Sequence, residues 1–415
     1  MKRINQLSAL ILITILVACE TIASPANLPA TIAPTEKPII GSIAWVYMLS
    51  PNTRIDSALI HNDIAYYNMS TEAAKAEPLG VQAYDLHKQA ILWTISDDTY
   101  DYLLLGGESL FLISSPYDTS RKILSINIKN GETNWTIPAP GVGYEYELSY
   151  GDNKLFLATG NTIYGLDANN GELVWQTDLL PDLNVNMAWF GNTIVFNEYS
   201  ALSYYNGSVF IRLSENTSNN QGIIEGQYLV LDSQTGLEKW KNLFRVPKPS
   251  ESPPFAVASR PAFAEQVLFF IDWGGQGYLL DTVDGEVFWQ INTLYPASRP
   301  LLRDKRIYFV GTNNTLVCLD TETGNEIWKM PFPKMQITSP LRVVGNTILA
   351  VADNYVNQQA ELLQIDKNTG QPIGAVKIPN VGQCGSCVSS IEIDGEDLYI
   401  IFRHSIVAVE LELQR

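Results

Sequence analysis

The pair Cys384 and Cys387, separated by Gly and Ser, is the most chemically specific motif in the chain. Two thiols at this spacing can form a disulfide, exchange thiols, or supply half of a tetrahedral metal site. A metal site needs two further ligands, and the sequence contains no second Cys-x-x-Cys. A redox role needs the first Cys at a helix N-terminus in a thioredoxin-like context. In an oxidising compartment such a pair tends to form a disulfide, which we expect for Cys384 and Cys387.

Histidine, the residue best suited to general acid–base catalysis, occurs only as His61, His87 and His404. None belongs to an H-E-x-x-H motif, and the chain has no G-x-S-x-G motif or Gly-rich phosphate loop. His87 falls in a predicted hairpin turn and His404 precedes a predicted strand, so we interpret both as surface turn residues. The sequence therefore predicts no catalytic residue, no metal site and no cofactor.

A third thiol, Cys19, belongs to a different motif. Lys2 and Arg3 precede an apolar run over residues 7–17, and Leu-Val-Ala-Cys19 closes the segment. At about 1.5 Å per residue the run covers roughly 16 Å, too little for a bilayer core of about 30 Å, so it predicts a secretory signal. Leu-Val-Ala-Cys resembles the lipobox of bacterial lipoproteins, which implies cleavage before Cys19 and acylation of its thiol. An ordinary signal peptide with an accidental Cys is the alternative.

The segment after Cys19 predicts a tether. Residues 20–38 contain four Pro and few large apolar side chains, so they cannot bury enough surface to fold. The expected organisation is a signal peptide over 1–18, a flexible tether over 19–38 and one folded domain over 39–415. Two or three acyl chains would hold such a protein stably on a membrane. We expect it on the outer membrane of a two-membrane cell, or otherwise on the outer face of the plasma membrane.

The charge of the chain disfavours one class of partner. The formal net charge is −17, and an acidic surface repels phosphate backbones. No basic patch with interleaved aromatic residues is present in the sequence. Nucleic acid is therefore not an expected partner.

Seven segments of the chain align without gaps. Each starts with Asp or Asn, six have Gly four residues later, and six have Trp eight residues later. Their first residues are Asp85, Asn127, Asp167, Asp232, Asp281, Asp320 and Asp366. Asp ends a strand by bonding turn amides, Gly supplies positive φ in the turn, and Trp can fill the gap between sheets. We therefore interpret each Trp as a packing residue rather than a ligand platform.

The repeats predict a closed ring. Another strand pair precedes each hairpin, and four short strands per repeat are typical of propeller blades. The C-terminal region supplies three more strands, with Glu410 in the Asp position, but no fourth strand. The lone Gly-x-x-x-Trp ending at Trp45 supplies that strand. We expect an all-β, monomeric, eight-bladed β-propeller of four-stranded antiparallel blades, closed by the N-terminal strand, because closure removes exposed edges.

The segment Leu-Asp-x-x-Thr-Gly-x-x-x-Trp resembles the PQQ-type repeat of the quinoprotein dehydrogenases, most clearly at residues 231–240, 280–289 and 319–328. The resemblance covers residues 40–413 and implies the fold but little chemistry. The dehydrogenases hold PQQ and Ca²⁺ beside an adjacent Cys-Cys disulfide, which this chain lacks, and it lacks their long insertions. The layout is similar to the non-catalytic lipoproteins related to the BamB component of the outer-membrane β-barrel assembly machine. That branch implies an eight-bladed propeller that binds partner proteins.

The repeat is interrupted in blade 4, where successive Asp positions are furthest apart. We expect residues 198–225 to be an insertion between a second strand at 193–197 and a third at 227–231. Aromatic residues are common at protein interfaces, so four of them are candidate partner contacts: Tyr199, Tyr204, Tyr205 and Phe210. The alternative is an extra hairpin over residues 204–213, packed on its own blade. The insertion is expected on the same face as the loop containing Cys384.

Two functions follow from these features. The first is a non-catalytic cell-envelope lipoprotein whose propeller is a scaffold for a protein partner that the sequence does not identify. The alternative is a quinone (PQQ)-dependent or sugar-binding, enzyme-like propeller with an axial pocket.

Overall fold

Short runs of apolar residues form thirty-three β-strands in the part of the chain that the computed structural model describes. The described residues are 40–72, 77–96, 100–114, 121–141, 146–159, 162–179, 202–215, 223–247, 261–271, 275–293, 298–354, 356, 359–382, 388–394 and 397–411. These strands form eight antiparallel sheets, seven of four strands and one of five. Each sheet is one blade, and we letter its strands A to D from the inside outward.

The strands follow the chain blade by blade, except for the first. β1 (Ile40–Met48) belongs to blade 8. Blade 1 comprises β2 (Thr53–His61), β3 (Ile64–Thr71), β4 (Pro78–Asp85) and β5 (Ala90–Ile95), and blade 2 comprises β6 (Tyr100–Gly106), β7 (Ser109–Ser114), β8 (Lys122–Asn127) and β9 (Thr133–Pro138). Blade 3 comprises β10 (Tyr146–Gly151), β11 (Lys154–Thr159), β12 (Thr162–Asp167) and β13 (Leu173–Asp178), and blade 4 comprises β14 (Leu202–Tyr205), β15 (Ser208–Glu215), β16 (Ile223–Asp232) and β17 (Glu238–Pro247).

The second half of the ring has the same plan. Blade 5 comprises β18 (Ala262–Ala264), β19 (Val267–Ile271), β20 (Gln276–Asp281) and β21 (Val287–Asn292), and blade 6 comprises β22 (Leu301–Arg303), β23 (Arg306–Gly311), β24 (Thr315–Asp320) and β25 (Glu326–Pro331). Blade 7 comprises β26 (Met335–Ile337), β27 (Arg342–Val344), β28 (Thr347–Asn354), β29 (Gln359–Asp366) and β30 (Pro372–Gly382). Blade 8 comprises β31 (Val388–Asp394), β32 (Asp397–Phe402) and β33 (Ser405–Leu411), together with β1. In blade 7, β26 and β27 both pair with β28. A 3-10 turn, Thr312–Asn314, joins β23 to β24.

Two kinds of turn meet on one face of the propeller. The A–B turns have positive φ at their centres, as at Asp304 (52°) and Lys305 (58°), which matches the right-handed twist of a hairpin. In the C–D turns the Asp carboxylate accepts amide hydrogens, as from Thr323 to Asp320 at 2.8 Å. The Thr321 amide also donates to the Lys305 carbonyl at 3.0 Å, which ties the two turns together. The B–C and D–A connections therefore join strand ends at the opposite face.

The core consists of eight apolar clusters, and each lies between two neighbouring blades. One cluster joins blade 8 back to blade 1, where buried Tyr399 and Ile406 pack with Ile55 and Tyr67. The blades thus form a closed ring, and the predicted eight-bladed propeller is confirmed.

The closing strand occupies the predicted register. Trp45 of β1 lies opposite Ala408, and Glu410 lies opposite Asp397. In the regular blades the Trp also lies opposite the residue two before the Asp, as Trp328 does with Cys318. Trp45 and Glu410 therefore stand in the Trp and Asp positions of the repeat, as the sequence predicts.

Candidate functional site

Four of the predicted site residues lie outside the described part of the chain. They are Cys19, Tyr199, Cys384 and Cys387. The predicted signal peptide and tether also lie outside it, and all of these remain predictions. The remaining candidates, Tyr204, Tyr205 and Phe210, are all in blade 4.

The predicted position of the blade 4 insertion is wrong. Leu202–Tyr205 forms strand A and Ser208–Glu215 forms strand B, so these residues are part of the four-stranded blade. The reason is the turn between them: Asn206 and Gly207 have φ of 42° and 71°, and an Asn-Gly pair is a strong hairpin signal. The earlier run that the sequence suggested for strand B, 193–197, lies outside the described residues.

The ring of Tyr204 packs between blades 3 and 4. It stacks on Phe156, with 5.8 Å between centroids and 8° between planes. A Cβ at Gly151 would lie 2.0 Å from the ring, so the small residue there leaves room for it. The hydroxyl accepts the Gly207 amide at 3.2 Å. Burial, followed by a hydrogen bond with Asp152, raises the pKa of Tyr204 above its usual range.

Tyr205 makes the corresponding contact on the other side of the blade. Its ring stacks on Phe263 of blade 5 at 4.8 Å, and its hydroxyl donates to the Glu265 carbonyl at 2.9 Å. Both tyrosines adjoin an A–B turn, whereas the chain around Cys384 connects strand D of blade 7 to strand A of blade 8. The expectation that these aromatic residues share a face with that connection is therefore wrong, because A–B turns and D–A connections lie at opposite ends of the strands.

Phe210 is a core residue. It is only 1% exposed and packs edge-on against Trp240 and Phe263, at 6.0 and 5.0 Å. A side chain this buried offers no surface to a partner, so its assignment as a contact is corrected. The cause is its place in strand B, where alternate residues face the neighbouring blade.

The tryptophans of the repeat have a defined structural role. In six blades the indole N–H donates to a carbonyl of the next blade, at 2.8 to 3.1 Å. The acceptor always follows the Asp or Asn of the next hairpin, as Ser233 does for Trp175. The Gly of that hairpin lies under the ring: a Cβ at Gly236 would lie 2.5 Å from Trp175. These side chains hold neighbouring blades together, which agrees with their interpretation as packing residues.

The histidines lie in turns or beside them. His87 contacts Asp63 at 3.1 Å across two turns of blade 1. His404 lies beside the closing junction, where Nδ1 is 3.0 Å from the Thr53 carbonyl and Nε2 is 3.5 Å from Glu72. Within the described ranges, no group of three or more His, Cys, Asp or Glu could hold a metal ion. The described residues therefore do not fit a PQQ–Ca²⁺ centre, and we derive no chemical step through a quinone.

The one described cysteine is unreactive. Cys318 is a free thiol with no exposed surface, and burial raises its pKa to about 12. The thiolate that would react is therefore scarce at neutral pH. Among the described residues, no helix is both long and apolar enough to span a membrane.

Known proteins share both the repeat and the fold. Residues 119–373 and 294–410 match the family model for the outer membrane protein assembly factor BamB, and together they span well over half of the chain. The chain belongs to this family. No protein with a curated function matches it. The prediction of a PQQ-type, BamB-like propeller is thereby confirmed at the level of family and fold.

Solved structures give the same fold at low identity. BamB from Moraxella catarrhalis has a TM-score of 0.59 and 16% identity over 88% of this chain and 100% of its own. A computationally designed protein has a TM-score of 0.62 and 14% identity over 89% of this chain and 100% of its own. A quinohemoprotein alcohol dehydrogenase from Pseudomonas putida has a TM-score of 0.59 and 10% identity over 90% of this chain and 76% of its own. At such identities, BamB-family membership says more about this chain than any single structure does.

Proposed function

We propose that this protein is a lipid-anchored, non-catalytic scaffold of the cell envelope whose propeller binds a protein partner. Family membership supports this proposal, since the family takes its name from an outer membrane assembly factor. The observation that carries it is the role of the repeat: the recurring Gly and Trp of each hairpin join neighbouring blades. Binding must therefore use residues outside the repeat pattern.

The anchor is tested by changing Cys19. The proposal expects radiolabelled palmitate to be incorporated into the wild type and not into Cys19→Ser, with release of the variant from the membrane fraction. A matched change, Cys318→Ser, should leave labelling intact, because that thiol is buried in blade 6. Labelled or membrane-bound Cys19→Ser protein would contradict the lipid anchor.

The partner surface is tested by photo-crosslinking in the native envelope. A photoreactive residue at position 199 should form one discrete crosslinked species with the partner. Tyr199 is chosen because it lies outside the repeat pattern, between the last strand of blade 3 and the first strand of blade 4 along the chain. The same residue at Thr133, exposed on the outer strand of blade 2, is the control. Equal crosslinking from both positions would contradict a specific surface at Tyr199.

The quinone-dependent alternative is supported by distant fold relatives such as the quinohemoprotein alcohol dehydrogenase from Pseudomonas putida, at 10% identity. Its test is direct: PQQ and Ca²⁺ are added to purified protein, and quinone absorbance and dye reduction are measured. Stoichiometric uptake with dye reduction would replace the scaffold proposal with an enzymatic one.

A further inference from the structure

Asn-Gly pairs occur at three places in the chain, at positions 130–131, 170–171 and 206–207. In this dipeptide the backbone nitrogen of the glycine can attack the side-chain amide carbon of the asparagine, because glycine has no side chain to obstruct the approach. The succinimide ring closes only after the peptide between the two residues has rotated. The reactivity of each pair therefore depends on what holds that peptide in its turn.

The first pair lies in the C–D turn of blade 2 and is held on several sides. The Gly131 amide donates to the Asn127 carbonyl at 2.9 Å. The side-chain oxygen of Asn130 accepts the Glu132 amide at 3.1 Å. The indole of Trp93 covers the glycine, since a Cβ at Gly131 would lie 2.9 Å from that ring. Two hydrogen bonds and a packed ring thus restrain the peptide.

The second pair, in the C–D turn of blade 3, is held in the same way. The Gly171 amide donates to the Asp167 carbonyl at 2.8 Å. The side-chain oxygen of Asn170 accepts the Glu172 amide at 2.9 Å. A Cβ at Gly171 would lie 2.9 Å from the ring of Trp135. Rotation of either peptide therefore requires breaking two hydrogen bonds and moving an indole that joins two blades.

The third pair, Asn206 and Gly207, forms the A–B turn of blade 4 and lacks these restraints. The Gly207 amide donates to a side chain instead of the backbone, the Tyr204 hydroxyl at 3.2 Å. The Asn206 side chain donates to the Glu265 carbonyl at 3.4 Å, which is long for a hydrogen bond. No ring covers the turn: among the described residues beyond its chain neighbours, a Cβ at Gly207 would come no closer than 3.9 Å, to Asp152.

We propose that Asn206 is a site of spontaneous deamidation and that the fold protects the other two Asn-Gly pairs. The Gly207 nitrogen bonds to the Asn206 side-chain carbon, and the bond from that carbon to the side-chain nitrogen breaks. The side-chain nitrogen leaves as ammonia with the proton that the backbone nitrogen loses. Water then opens the succinimide at either carbonyl and leaves aspartate or isoaspartate at position 206. The reaction is independent of the proposed scaffold function, because only the turn and water take part.

The product changes the contact between blades 4 and 5. A carboxylate at position 206 has no N–H to donate to the Glu265 carbonyl. Isoaspartate also lengthens the backbone of a two-residue hairpin turn, whose length sets the register of its strands. The Tyr205 hydroxyl still donates to the Glu265 carbonyl, at 2.9 Å. We therefore expect the modified protein to stay folded with a loosened turn.

Deamidation is measured by peptide mapping with mass spectrometry, after incubation of the purified full chain at pH 8. The peptide with Asn206 should react about tenfold faster than those with Asn130 and Asn170, roughly the factor that one further hydrogen bond supplies. In urea-unfolded protein the three peptides should react at similar rates. Equal rates in the folded protein would overturn the proposal. The same ratio before and after unfolding would also overturn it, because the local sequence would then explain the difference.

Two variants test the restraints separately, with circular dichroism as the check that each is folded. Tyr204→Phe removes the acceptor of the Gly207 amide and should accelerate reaction at Asn206 severalfold, with no change at Asn130. Trp93→Leu uncovers the turn of blade 2 and should accelerate Asn130 without changing Asn206. Unchanged rates at Asn206 in the first variant and at Asn130 in the second would show that these contacts do not control the reaction and would overturn the protection.

Discussion

Six of the blade junctions differ from the junction between blades 7 and 8. In the six, a Trp of one blade donates its indole N–H to the C–D turn of the next. At the seventh, Gly374 stands where Trp would be. Blade 8 has no C–D turn, because its strand C is β33 and its strand D is β1, from opposite regions of the chain. The Trp is thus replaced at the one junction where the turn that it would contact does not exist.

The junction without Trp is held by other contacts. Its apolar cluster includes buried Phe402, Val407 and Leu349. Arg342 of β27 and Glu392 of β31 form an ion pair of 2.6 Å near the inner strands. The comparison shows that the Trp contact is a device for joining successive hairpins, whereas the ring itself depends on continuous apolar packing.

Removing β1 (Ile40–Met48) should have the largest effect, because blade 8 then loses its outer strand and the ring opens. We expect loss of cooperative unfolding in a soluble form that lacks residues 1–19 and carries Ser at positions 384 and 387. In that form Cys318 is the sole thiol, so its reaction with a thiol reagent reports opening. Removal of residues 20–38 alone is the control and should change neither measurement; slow labelling after loss of β1 would contradict the closure.

Trp175→Ala should have the next largest effect, about 3–5 kcal/mol of unfolding free energy, as for other large aromatic residues in packed sites. Gly236→Ala should also destabilise, because its Cβ would lie 2.5 Å from Trp175 and its φ is +70°. Urea unfolding of both single variants and the double variant measures their coupling. In the Trp175→Ala background the Gly236 change should cost less; strict additivity would show that the two residues do not meet as described.

Asp320→Asn should have a smaller effect that depends on pH. The Thr323 hydroxyl and amide donate to the Asp320 carboxylate and lower its pKa. The ionised form therefore stabilises the fold above the unfolded-state pKa of about 3.9, and this stabilisation is lost as pH falls through the folded-state value. At pH 7 we expect the variant to lose about 1 kcal/mol in urea unfolding, and less at pH 3. Glu326→Gln, exposed on the same hairpin, is the control. A loss of unfolding free energy in Asp320→Asn that is larger at pH 3 than at pH 7 would contradict the expected direction.

Gly374→Trp should have the smallest effect and tests the comparison itself. A Trp at this position has no C–D turn of blade 8 to contact. The unfolding free energy should therefore change by no more than about 1 kcal/mol, as is usual for partly exposed positions. A gain as large as the loss from Trp175→Ala would show that the indole needs no turn partner.

Regular parts of the propeller could be predicted from sequence because each position of the repeat has its own physical task. Asp320 binds turn amides, and Gly324 provides a positive φ of 71° under Trp289. The position of Trp45 could be predicted in the same way, because an isolated outer strand near the N-terminus completes a blade with the three strands near the C-terminus. The second strand of blade 4 was assigned incorrectly because the run at 193–197 and the segment 204–213 both have the pattern of a hairpin strand. The local pattern alone cannot choose between them.

Apart from the Trp contacts of the repeat, contacts between blades could not be predicted from the sequence. Nothing in the sequence around Arg121 and Tyr146 indicates that the guanidinium carbon lies 4.7 Å above the centroid of the ring, since this contact depends on how two sheets pack. The burial of Phe210 is a similar case, because its aromatic character alone suits both a core and an interface.

The pairing of β1 with β33 also has a mechanical consequence. Under the proposed anchoring, the tether over residues 19–38 leads into β1, whose first residue, Ile40, pairs with Leu411. A pulling force from the membrane therefore enters the propeller at its closing strand. A pull along β1 loads its whole hydrogen-bond ladder in shear, whereas a pull across it would break the pairs one at a time. The direction of the pull relative to β1 thus decides whether the force acts on all pairs of this ladder together or breaks them one at a time.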